Sequence, residues 1–439
     1  MAGSARPPRI LIVGGGYVGM YTALRLQRKL HRGEAAITIV DPQSYMTYQP
    51  FLPESAAGSL EPRHVVVPLR RVLKRCEVLV GRITSIDHAN RTAQFDPSEG
   101  EGRELPYDIL VMAPGSIART LPIPGLAEVG IGFKTVAEAI YLRNRVLAKL
   151  DLAASTEDPR IRRRALTFVF IGGGYAGIEA IAELQDMARD ATRYFHRVQP
   201  SDMRWIMIEA TGRILPEVSE GLAEYTVREL AKQGVEVRRN TKVTSLADGC
   251  VELSDGERFE AETVVWTAGV RPNPLLEQTD LPLDEKTRLR CRADLRVDGV
   301  EDAWSAGDCA AVPDLTKSDP DAMCGPTAQH AVRQAKQLGD NIVASLRGKP
   351  VRDYKHAYAG SVASLGLHRG VAEVYGIRVR GLPAWFMHRT YHLARVPTTN
   401  RKFRVTIDWT LALFFRREIV SFGSFTNPRA EFTAATTKH

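Results

Sequence analysis

A glycine-rich pattern occurs twice in this chain and constrains its fold more than any other feature. The first copy runs from Arg9 to Gly19 and the second from Leu166 to Gly177. Each copy begins with an apolar, β-branched run typical of a buried parallel strand, passes through three glycines and enters a stretch with helical character. The repeat predicts an α/β protein with two strand–turn–helix units, each opening a Rossmann-like domain.

The spacing of the glycines indicates what each of them does. In such a unit the first glycine makes the tight turn, the second lets the backbone approach a pyrophosphate, and the third lets the helix pack on the strand. The pyrophosphate is then stabilised by the N–H groups and the dipole of the helix N-terminus. The three positions are Gly14, Gly16 and Gly19 in the first copy, and Gly172, Gly174 and Gly177 in the second.

An acidic residue follows each motif at the end of the next predicted strand. Asp41 follows the strand Ala36–Val40, and Glu209 follows the strand Trp205–Ile208. A carboxylate at this position accepts hydrogen bonds from an adenosine ribose, so we expect two dinucleotides, FAD at the first motif and a nicotinamide cofactor at the second. Glu209 would repel a 2′-phosphate, which favours NADH over NADPH, although the nearby Arg213 could weaken that preference.

Three further segments fit this scheme. Predicted buried strands break into glycine turns at Gly115 and Gly269, which we assign to the FAD and NADH sites respectively. A third strand-like segment, Ala303–Ala310, presents Asp308, whose carboxylate could accept a hydrogen bond from the ribityl chain of a flavin. By itself, a Gly-Asp pair after an apolar run more often marks an ordinary turn. The flavin-binding interpretation is favoured here only because the chain also carries the two glycine motifs.

These motifs resemble those of the type II NADH dehydrogenases, single-chain FAD enzymes that pass electrons from NADH to membrane quinone. The resemblance runs from Arg9 to about Gly423 and includes the segments Asp41–Gly58 and Pro326–Ala331. It implies an FAD domain that is built from both ends of the chain and interrupted by an NAD domain. The expected bounds are 1–125 and 290–380 for the FAD domain, 126–289 for the NAD(H)-binding domain, and 381–439 for an amphipathic helical region that binds the membrane surface or a second subunit.

The resemblance points to three candidate catalytic positions, two of which match the family while the third departs from it. Glu179 matches a family glutamate near the nicotinamide–flavin stack, although by itself it would be interpreted as a solvated acid in the first turn of a helix. Gln329 matches a family glutamine beside the isoalloxazine ring, and so counts among the FAD-binding residues as well. A second family glutamine is replaced by Arg333, which could contact a quinone carbonyl or narrow the pocket against quinone.

The net charge of +8 is concentrated near the C-terminus. Residues 378–417 contain nine basic residues and one acidic residue, Asp408, whereas the rest of the chain is balanced. Aromatic and basic residues alternate here, a pattern that predicts a helical pair lying on an anionic membrane surface. A homodimer contact or a helix packed on the flavin domain would explain the same pattern. The alternating residues are Trp385, Phe386, Arg389, Tyr391, Arg395, Arg401, Lys402, Trp409, Phe414, Phe415, Arg416 and Arg417.

The expected activity is non-proton-pumping NADH:quinone oxidoreduction at the inner, cytoplasmic face of the cell membrane, by a homodimer. No uncharged apolar run approaches the ~20 residues that span a bilayer, and residues 1–9 lack the apolar core of a signal peptide. We expect neither a metal site nor a nucleic-acid partner, because the five cysteines have no metal-ligand spacing and the basic segment suits lipid phosphate equally well.

The sequence leaves alternative functions open. The chain could be an FAD/NAD(P)H oxidoreductase with a different acceptor, or a flavoprotein whose redox state switches the binding of a partner. A disulfide reductase or a sulfide:quinone oxidoreductase is disfavoured because both need cysteines beside the flavin. Cys309 and Cys324 are the only conceivable pair.

Overall fold

The computed structural model describes residues 6–356, 360–421 and 430–436, so the end of the family resemblance near Gly423 lies outside the described residues. The chain forms two compact units, and each contains a parallel sheet that carries one of the two glycine motifs. The predicted α/β fold with two Rossmann-like domains is confirmed. The first unit comprises Met1–Thr47, Val66–Ile117 and Val270–Tyr358, and the second comprises Tyr48–Val65, Ala118–Gly269 and Ala359–His439.

The first unit is built on a seven-stranded sheet. Five of its strands are parallel, and the last two extend the sheet in antiparallel fashion. Across the sheet the order is β20 (Ala303–Ser305), β8 (Ile109–Met112), β1 (Arg9–Val13), β2 (Ala36–Asp41), β5 (Glu77–Asp87), β6 (Thr92–Pro97) and β7 (Arg103–Pro106). Shorter strands are β3 (Tyr45–Thr47), β4 (Val66–Pro68), β9 (Ser116–Ala118), β18 (Val270–Pro272), β19 (Leu289–Arg290) and β21 (Ala310–Ala311).

Two long helices from opposite ends of the chain pack together in this unit, α1 (Tyr17–Lys29) and α9 (Ala328–Leu346); the short helix α3 is Leu69–Val72. Gly339 allows the close approach, because a Cβ there would lie 2.8 Å from the Cβ of Arg25. The Arg25 guanidinium donates two hydrogen bonds of 2.7 Å to the Asp340 carboxylate. The first unit is therefore assembled from segments that precede and follow the central segment Ala118–Gly269 of the second unit.

The second unit is built on a five-stranded parallel sheet. The order is β10 (Gly130–Gly132), β17 (Thr263–Trp266), β11 (Thr167–Ile171), β12 (Arg204–Ile208) and β13 (Val235–Arg238). Two antiparallel sheets accompany it, β14 (Val243–Ser245) with β15 (Cys250–Leu253) and β16 (Arg258–Glu260), and β22 (Gly360–Ser364) with β23 (Gly370–Val374) and β24 (Ile377–Arg380). Both faces of β11 and β17 are buried, which explains their continuous apolar sequences.

The described helices of the second unit include the predicted C-terminal pair. They are α2 (Leu52–Ala56), α4 (Leu126–Val129), α5 (Val136–Ser155), α6 (Pro159–Ala165), α7 (Tyr175–Ala191), α8 (Glu220–Lys232), α10 (Gly381–Arg395), α11 (Thr399–Phe414) and α12 (Ala430–Thr436). Helix α7 is followed directly by a 3₁₀ turn, Thr192–Tyr194. Within the described ranges, no helix has both the length and the apolar character that crossing a bilayer demands.

The compact units do not coincide with the predicted domain bounds at residues 48–65, 118–125, 270–289 and 360–380, and the first of these differences has a clear physical cause. Residues 48–65, predicted within the FAD domain, group with the second unit. The reason is that Glu54 in α2 accepts hydrogen bonds from Arg389 of α10 and from Trp409 of α11. Sequence order alone does not reveal this contact, since the partners are more than 300 residues apart.

Candidate functional site

The first glycine motif forms the turn between β1 and α1. Gly14 has a φ of 103°, and its N–H donates to the carbonyl of Val40 at 2.8 Å. A Cβ on Gly19 would lie 1.8 Å from the carbonyl oxygen of Gly14, so the helix can start here only with glycine. A Cβ on Gly16 would meet no atom within 4 Å. Gly16 therefore faces open space at the helix N-terminus, where a pyrophosphate is expected to bind.

Asp41 at the end of β2 is tied to the same turn. One carboxylate oxygen accepts the N–H of Gly15 at 2.6 Å, and the other accepts the N–H of Gln43 at 2.7 Å. Burial raises the pKa of Asp41, although the two N–H donors oppose the shift. The carboxylate thus stabilises the loop in addition to its predicted contact with a ribose.

The second motif repeats this geometry in the second unit. Gly172 has a φ of 110°, and its N–H donates to the carbonyl of Ile208 at 2.9 Å. A Cβ on Gly177 would lie 2.1 Å from the carbonyl oxygen of Gly172, whereas a Cβ on Gly174 would meet no atom within 4 Å. The three positions therefore have the same contacts as their counterparts at β1 and α1.

Glu209 is the counterpart of Asp41. Its Oε2 accepts the N–H of Gly173 at 2.7 Å, and its Oε1 accepts both the N–H and the hydroxyl of Thr211 at 2.8 Å. Thr211 is a residue that the sequence argument missed. It orients the Glu209 carboxylate, so the rim of this site is fixed before any ligand binds.

The remaining predicted cofactor residues lie beyond the C-terminal ends of parallel strands. Asp308 Oδ2 accepts a hydrogen bond of 2.6 Å from the Ser116 hydroxyl, past the ends of the neighbouring strands β20 and β8. Gly115, next to Ser116, and Gly269 after β17 both have open space where a Cβ would project. This edge of a parallel sheet is where ligands bind in open α/β folds.

Gln329 and Arg333 lie on consecutive turns at the start of α9. Thr327 caps this helix by accepting the N–H of His330 at 3.2 Å. Gln329 Oε1 lies 3.1 Å from His356 Nε2, and Arg333 Nη1 donates to the Gln329 carbonyl at 3.1 Å. Arg333 therefore folds back along its own helix towards Gln329. The adjacent Gln334 is buried and accepts the N–H of Gly307 at 2.8 Å.

Glu179 lies in the second turn of α7 and is buried. Its Oε1 accepts the N–H of Ser364 at 2.9 Å and lies 3.0 Å from Nε2 of His388. The alternative interpretation, a solvated acid in the first helical turn, is therefore wrong. The structure brings Glu179 together with the C-terminal helix α10, a contact that the sequence did not predict.

The comparisons with known proteins agree with this geometry. Residues 8–335 match the family described as Pyridine nucleotide-disulphide oxidoreductase. The type II NADH:quinone oxidoreductase of Staphylococcus epidermidis is 30% identical over 387 residues, which cover 87% of this chain and 93% of that protein. The chain belongs to this family, among the type II NADH:quinone oxidoreductases.

Two other members show the extent of the similarity. The type II NADH:quinone oxidoreductase Ndh of Mycobacterium tuberculosis is 27% identical over 432 residues, which cover 94% of this chain and 90% of that protein. The solved structure of NDH2 from Plasmodium falciparum in complex with NADH has a TM-score of 0.87 at 18% identity and covers 94% of this chain and 100% of that chain. The type II NADH:quinone oxidoreductase fold thus extends over nearly the whole chain.

A buried cluster of charged residues in the second unit was not predicted. Three acids of α7, Glu179, Glu183 and Asp186, lie on one helical face at spacings of four and three residues. Acids at this spacing on the face of the helix that also carries Ala182 and Gln185 are the sequence signal that could have revealed them. Their partners come from the C-terminal region and from β22–β23: His388 beside Glu179, Arg417 beside Glu183, and Arg369 beside Asp186.

Burial dominates the electrostatics of this cluster. It raises the pKa of Glu183 to about 7, because the charge of Arg417 only partly offsets the loss of hydration. Burial opposes the protonation of His388, but the carboxylates of Glu179, Glu54 and Glu183 outweigh it and raise the pKa of this imidazole. The cluster therefore holds groups that can change protonation near neutral pH.

The C-terminal basic segment is only partly a surface feature. Trp385 and Arg389, both predicted at a membrane surface, are buried against the second unit. Arg389 binds Glu54 at 2.8 Å and Arg417 binds Glu183 at 3.4 Å, so acids outside the segment neutralise part of its charge. An exposed apolar stripe remains on α11, formed by Phe403, Ile407, Leu411 and Phe414.

Proposed function

We propose that this chain transfers hydride from NADH to a bound FAD and passes two electrons to a quinone. The observation that carries the proposal is the pair of equivalent dinucleotide turns, each open at its second glycine and each bordered by an anchored acid. Gly16 with Asp41 defines one turn, and Gly174 with Glu209 defines the other. Two such turns in one chain suit an enzyme that holds a flavin and a nicotinamide cofactor together.

The first unit fits FAD. The open space at Gly16 is where the pyrophosphate of a dinucleotide would lie, next to the N-terminus of α1. A bound FAD would supply the redox chemistry, taking up a hydride from NADH and passing two electrons to a second acceptor. The residues that would hold it are Gly14, Gly16, Gly19, Asp41, Gly115, Asp308 and Gln329.

The second unit fits NADH in the same way. The Glu209 carboxylate would accept hydrogen bonds from the adenosine ribose, while its charge would repel the 2′-phosphate of NADPH. Because Thr211 and Gly173 already bind both carboxylate oxygens of Glu209, this side chain loses little conformational freedom when NADH binds. The residues that would hold NADH are Gly172, Gly174, Gly177, Glu179, Glu209 and Gly269.

The catalytic residues are proposed as Glu179 on the nicotinamide side, with Gln329 and Arg333 on the acceptor side. The Gln329 amide can contact a quinone carbonyl, and its side-chain oxygen is already held by His356. Arg333 supports Gln329 through the backbone carbonyl and adds positive charge close by, which favours charge developing on a quinone oxygen. The bulky guanidinium of Arg333 would also narrow the pocket against quinone. This supports a second candidate function, in which the electron acceptor is not a quinone.

Reactive cysteine chemistry is poorly supported. Burial raises the pKa of the Cys309 thiol to about 11 and that of the Cys324 thiol to about 11 as well. The thiolate, which is the nucleophile in disulfide and sulfide chemistry, is therefore scarce at neutral pH. This disfavours a disulfide reductase and a sulfide:quinone oxidoreductase.

We further propose peripheral attachment to the cytoplasmic face of the cell membrane. The α11 stripe exposes four large apolar side chains, and the basic residues Arg395, Arg404 and Arg416 are exposed close by in sequence. An apolar stripe with basic neighbours suits an anionic lipid surface. The same face could instead form a homodimer, and sedimentation with and without vesicles distinguishes the two.

The test of the function is steady-state oxidation of NADH by FAD-loaded protein with a soluble quinone analogue as acceptor. We expect quinone-dependent turnover that falls at least about tenfold in Gln329→Ala, the scale of one lost transition-state contact. Turnover with ferricyanide should be retained in this variant. If the wild-type protein oxidises NADH with ferricyanide but with no quinone, the second candidate replaces the first.

A further inference from the structure

A histidine of the first unit determines how the Gln329 carboxamide is turned. The side-chain oxygen of Gln329, Oε1, lies 3.1 Å from His356 Nε2. Since a carboxamide oxygen only accepts hydrogen bonds, His356 is the donor and its Nε2 carries a hydrogen. The oxygen of Gln329 is therefore directed towards His356, and the amide N–H groups point along the other branch of the carboxamide.

His356 reaches the start of α9 because the segment that follows this helix runs back along it. The segment is fixed first at Arg352, whose N–H and carbonyl are hydrogen-bonded to the buried side chain of Asn341 at 3.0 and 2.8 Å. It is fixed next at the buried Tyr354, whose hydroxyl lies 2.9 Å from His330 Nδ1. The rings of His330 and His356 then meet edge to face, with their centroids 6.1 Å apart. The position of His356 is thus set by buried contacts.

The backbone of Gln329 is held as well as its side chain. Arg333 Nη1 donates to the Gln329 carbonyl at 3.1 Å, one turn further along α9. Gln329, Arg333 and His356 are all partly exposed, so a ligand can reach this end of the helix. A carboxamide that is fixed at both ends presents the same chemical groups to every ligand that arrives there.

Quinone and quinol differ in what they offer to such a carboxamide. The carbonyl oxygen of a quinone only accepts hydrogen bonds, whereas the hydroxyl of a quinol also has a hydrogen to donate. A freely rotating carboxamide suits both molecules, because it can turn its N–H groups to the quinone or its oxygen to the quinol. A carboxamide whose oxygen is held by His356 presents only N–H groups, which leaves the quinol hydrogen without an acceptor.

We propose that His356 makes the acceptor site select quinone over quinol by fixing the orientation of the Gln329 carboxamide. The inference rests on the proposed function, in which Gln329 contacts the acceptor. His356 is a positioning residue, because it acts through Gln329. The selection favours release of the product, so that accumulated quinol competes only weakly with quinone for the site.

Product inhibition in steady-state assays with a soluble quinone and its quinol tests this selection. His356→Phe keeps a ring but has no N–H donor, so the KM for quinone should rise and the inhibition constant of quinol should fall. The ratio of that inhibition constant to the KM should fall about fivefold or more, the scale of one hydrogen bond. His356→Gln, whose amide nitrogen can take the place of Nε2, should restore most of the ratio. The exposed His31→Phe is the matched control and should have the wild-type ratio.

A double-mutant cycle shows whether His356 acts through Gln329. In the Gln329→Ala background, His356→Phe should change the ratio by less than about twofold, because no carboxamide remains to be oriented. An equal effect of His356→Phe in both backgrounds would overturn the positioning role. An unchanged ratio in His356→Phe alone, in a protein that reduces quinone, would overturn the selection itself.

The tautomer of His356 can be measured without any acceptor, by NMR of the FAD-loaded protein labelled with ¹⁵N-histidine. His356→Phe identifies the signals, and the neutral ring should carry its hydrogen on Nε2. Hydrogen on Nδ1 would mean that the amide nitrogen of Gln329 faces His356, which overturns the proposal. If the wild-type protein reduces ferricyanide but no quinone, the proposed function fails and the selection of quinone fails with it, whatever the tautomer.

Discussion

Arg389 Nη2 lies 2.8 Å from Glu54 Oε2, and both side chains are almost completely buried, with 8% and 1% of their surfaces exposed. This pair joins the C-terminal helix α10 to α2. The Arg389 guanidinium also lies over the ring of Trp385, 3.9 Å from the ring centre. The basic C-terminal segment is therefore held to the second unit by buried charge as well as by apolar contact.

Removing one partner of this pair should destabilise the protein strongly. Arg389→Met leaves the Glu54 carboxylate buried without its guanidinium, which should lower the free energy of unfolding by about 3–5 kcal/mol. The double variant Glu54→Gln with Arg389→Met should recover a large part of the loss. Denaturant unfolding measures both. Arg395→Met, at an exposed position of the same helix, is the control and should cost under about 0.5 kcal/mol; a similar cost for Arg389→Met would contradict the account.

The two kinds of glycine in the NADH motif should respond differently to alanine. Gly174→Ala places a Cβ in open space, so the protein should fold normally and bind NADH at least about tenfold more weakly because the pyrophosphate site is filled. Gly177→Ala places a Cβ 2.1 Å from the Gly172 carbonyl and should damage folding itself. Thermal melting and NADH titration separate the two effects. Normal NADH affinity in Gly174→Ala would show that the site lies elsewhere.

Glu209 should set the preference for NADH. Glu209→Gln removes the charge that repels a 2′-phosphate, so the ratio of kcat/KM for NADH to that for NADPH should fall by about tenfold, equivalent to about 1.4 kcal/mol. Asp41→Asn is the matched control, because it changes the equivalent acid of the other motif. It should weaken FAD retention and leave the coenzyme ratio unchanged. An unchanged ratio in Glu209→Gln would remove this residue from coenzyme selection.

Glu183 should make stability depend on pH. Its pKa is raised from 4.5 to about 7 by burial, so the folded state favours the protonated acid. The ionised acid therefore lowers the free energy of unfolding. This destabilisation is absent below pH 4.5, grows as the pH rises to 7 and is then constant at about 3 kcal/mol. Glu183→Gln removes this dependence, so its stability relative to wild type should rise over that interval. Parallel stability curves for the two proteins between pH 5 and 8 would contradict the burial argument.

The exposed stripe of α11 should bind lipid. The double variant Phe403→Ser with Phe414→Ser removes two rings that are 66% and 78% exposed, so the fold should be unaffected. Cosedimentation with anionic vesicles should weaken at least about tenfold, given about 1.5–3 kcal/mol per buried phenyl ring. Tyr375→Ser, at an exposed residue between β23 and β24, is the control and should bind as wild type does. Equal vesicle binding by the wild type, the double variant and Tyr375→Ser would show that the stripe does not bind lipid and would favour a dimer contact there.

The local parts of this architecture could be predicted from the sequence, because they depend on short-range chemistry. Gly14 and Gly172 make turns that need positive φ, and the acids Asp41 and Glu209 follow the next strand at a fixed place. The repeated pattern therefore predicts two parallel sheets. It also predicts that ligands bind at the C-terminal ends of the strands in both sheets.

The buried charges could not be predicted in the same way. The sequence predicts Arg389 at the surface, because nothing near it in the chain indicates its partner Glu54, 335 positions away. Glu179 by itself was indistinguishable from a solvated helix acid, since only the tertiary contact with His388 and Ser364 buries it. Long-range electrostatic pairing depends on packing that periodicity does not encode.

Anaerobic stopped-flow mixing of the FAD-loaded protein with NADH, followed by mixing with a quinone analogue, would follow the two proposed half-reactions separately. We expect NADH to bleach the flavin absorbance rapidly and quinone to restore it at a rate consistent with steady-state turnover. Flavin that NADH does not bleach would contradict the donor assignment. Bleached flavin that no quinone reoxidises would contradict the acceptor assignment and turn attention to Arg333.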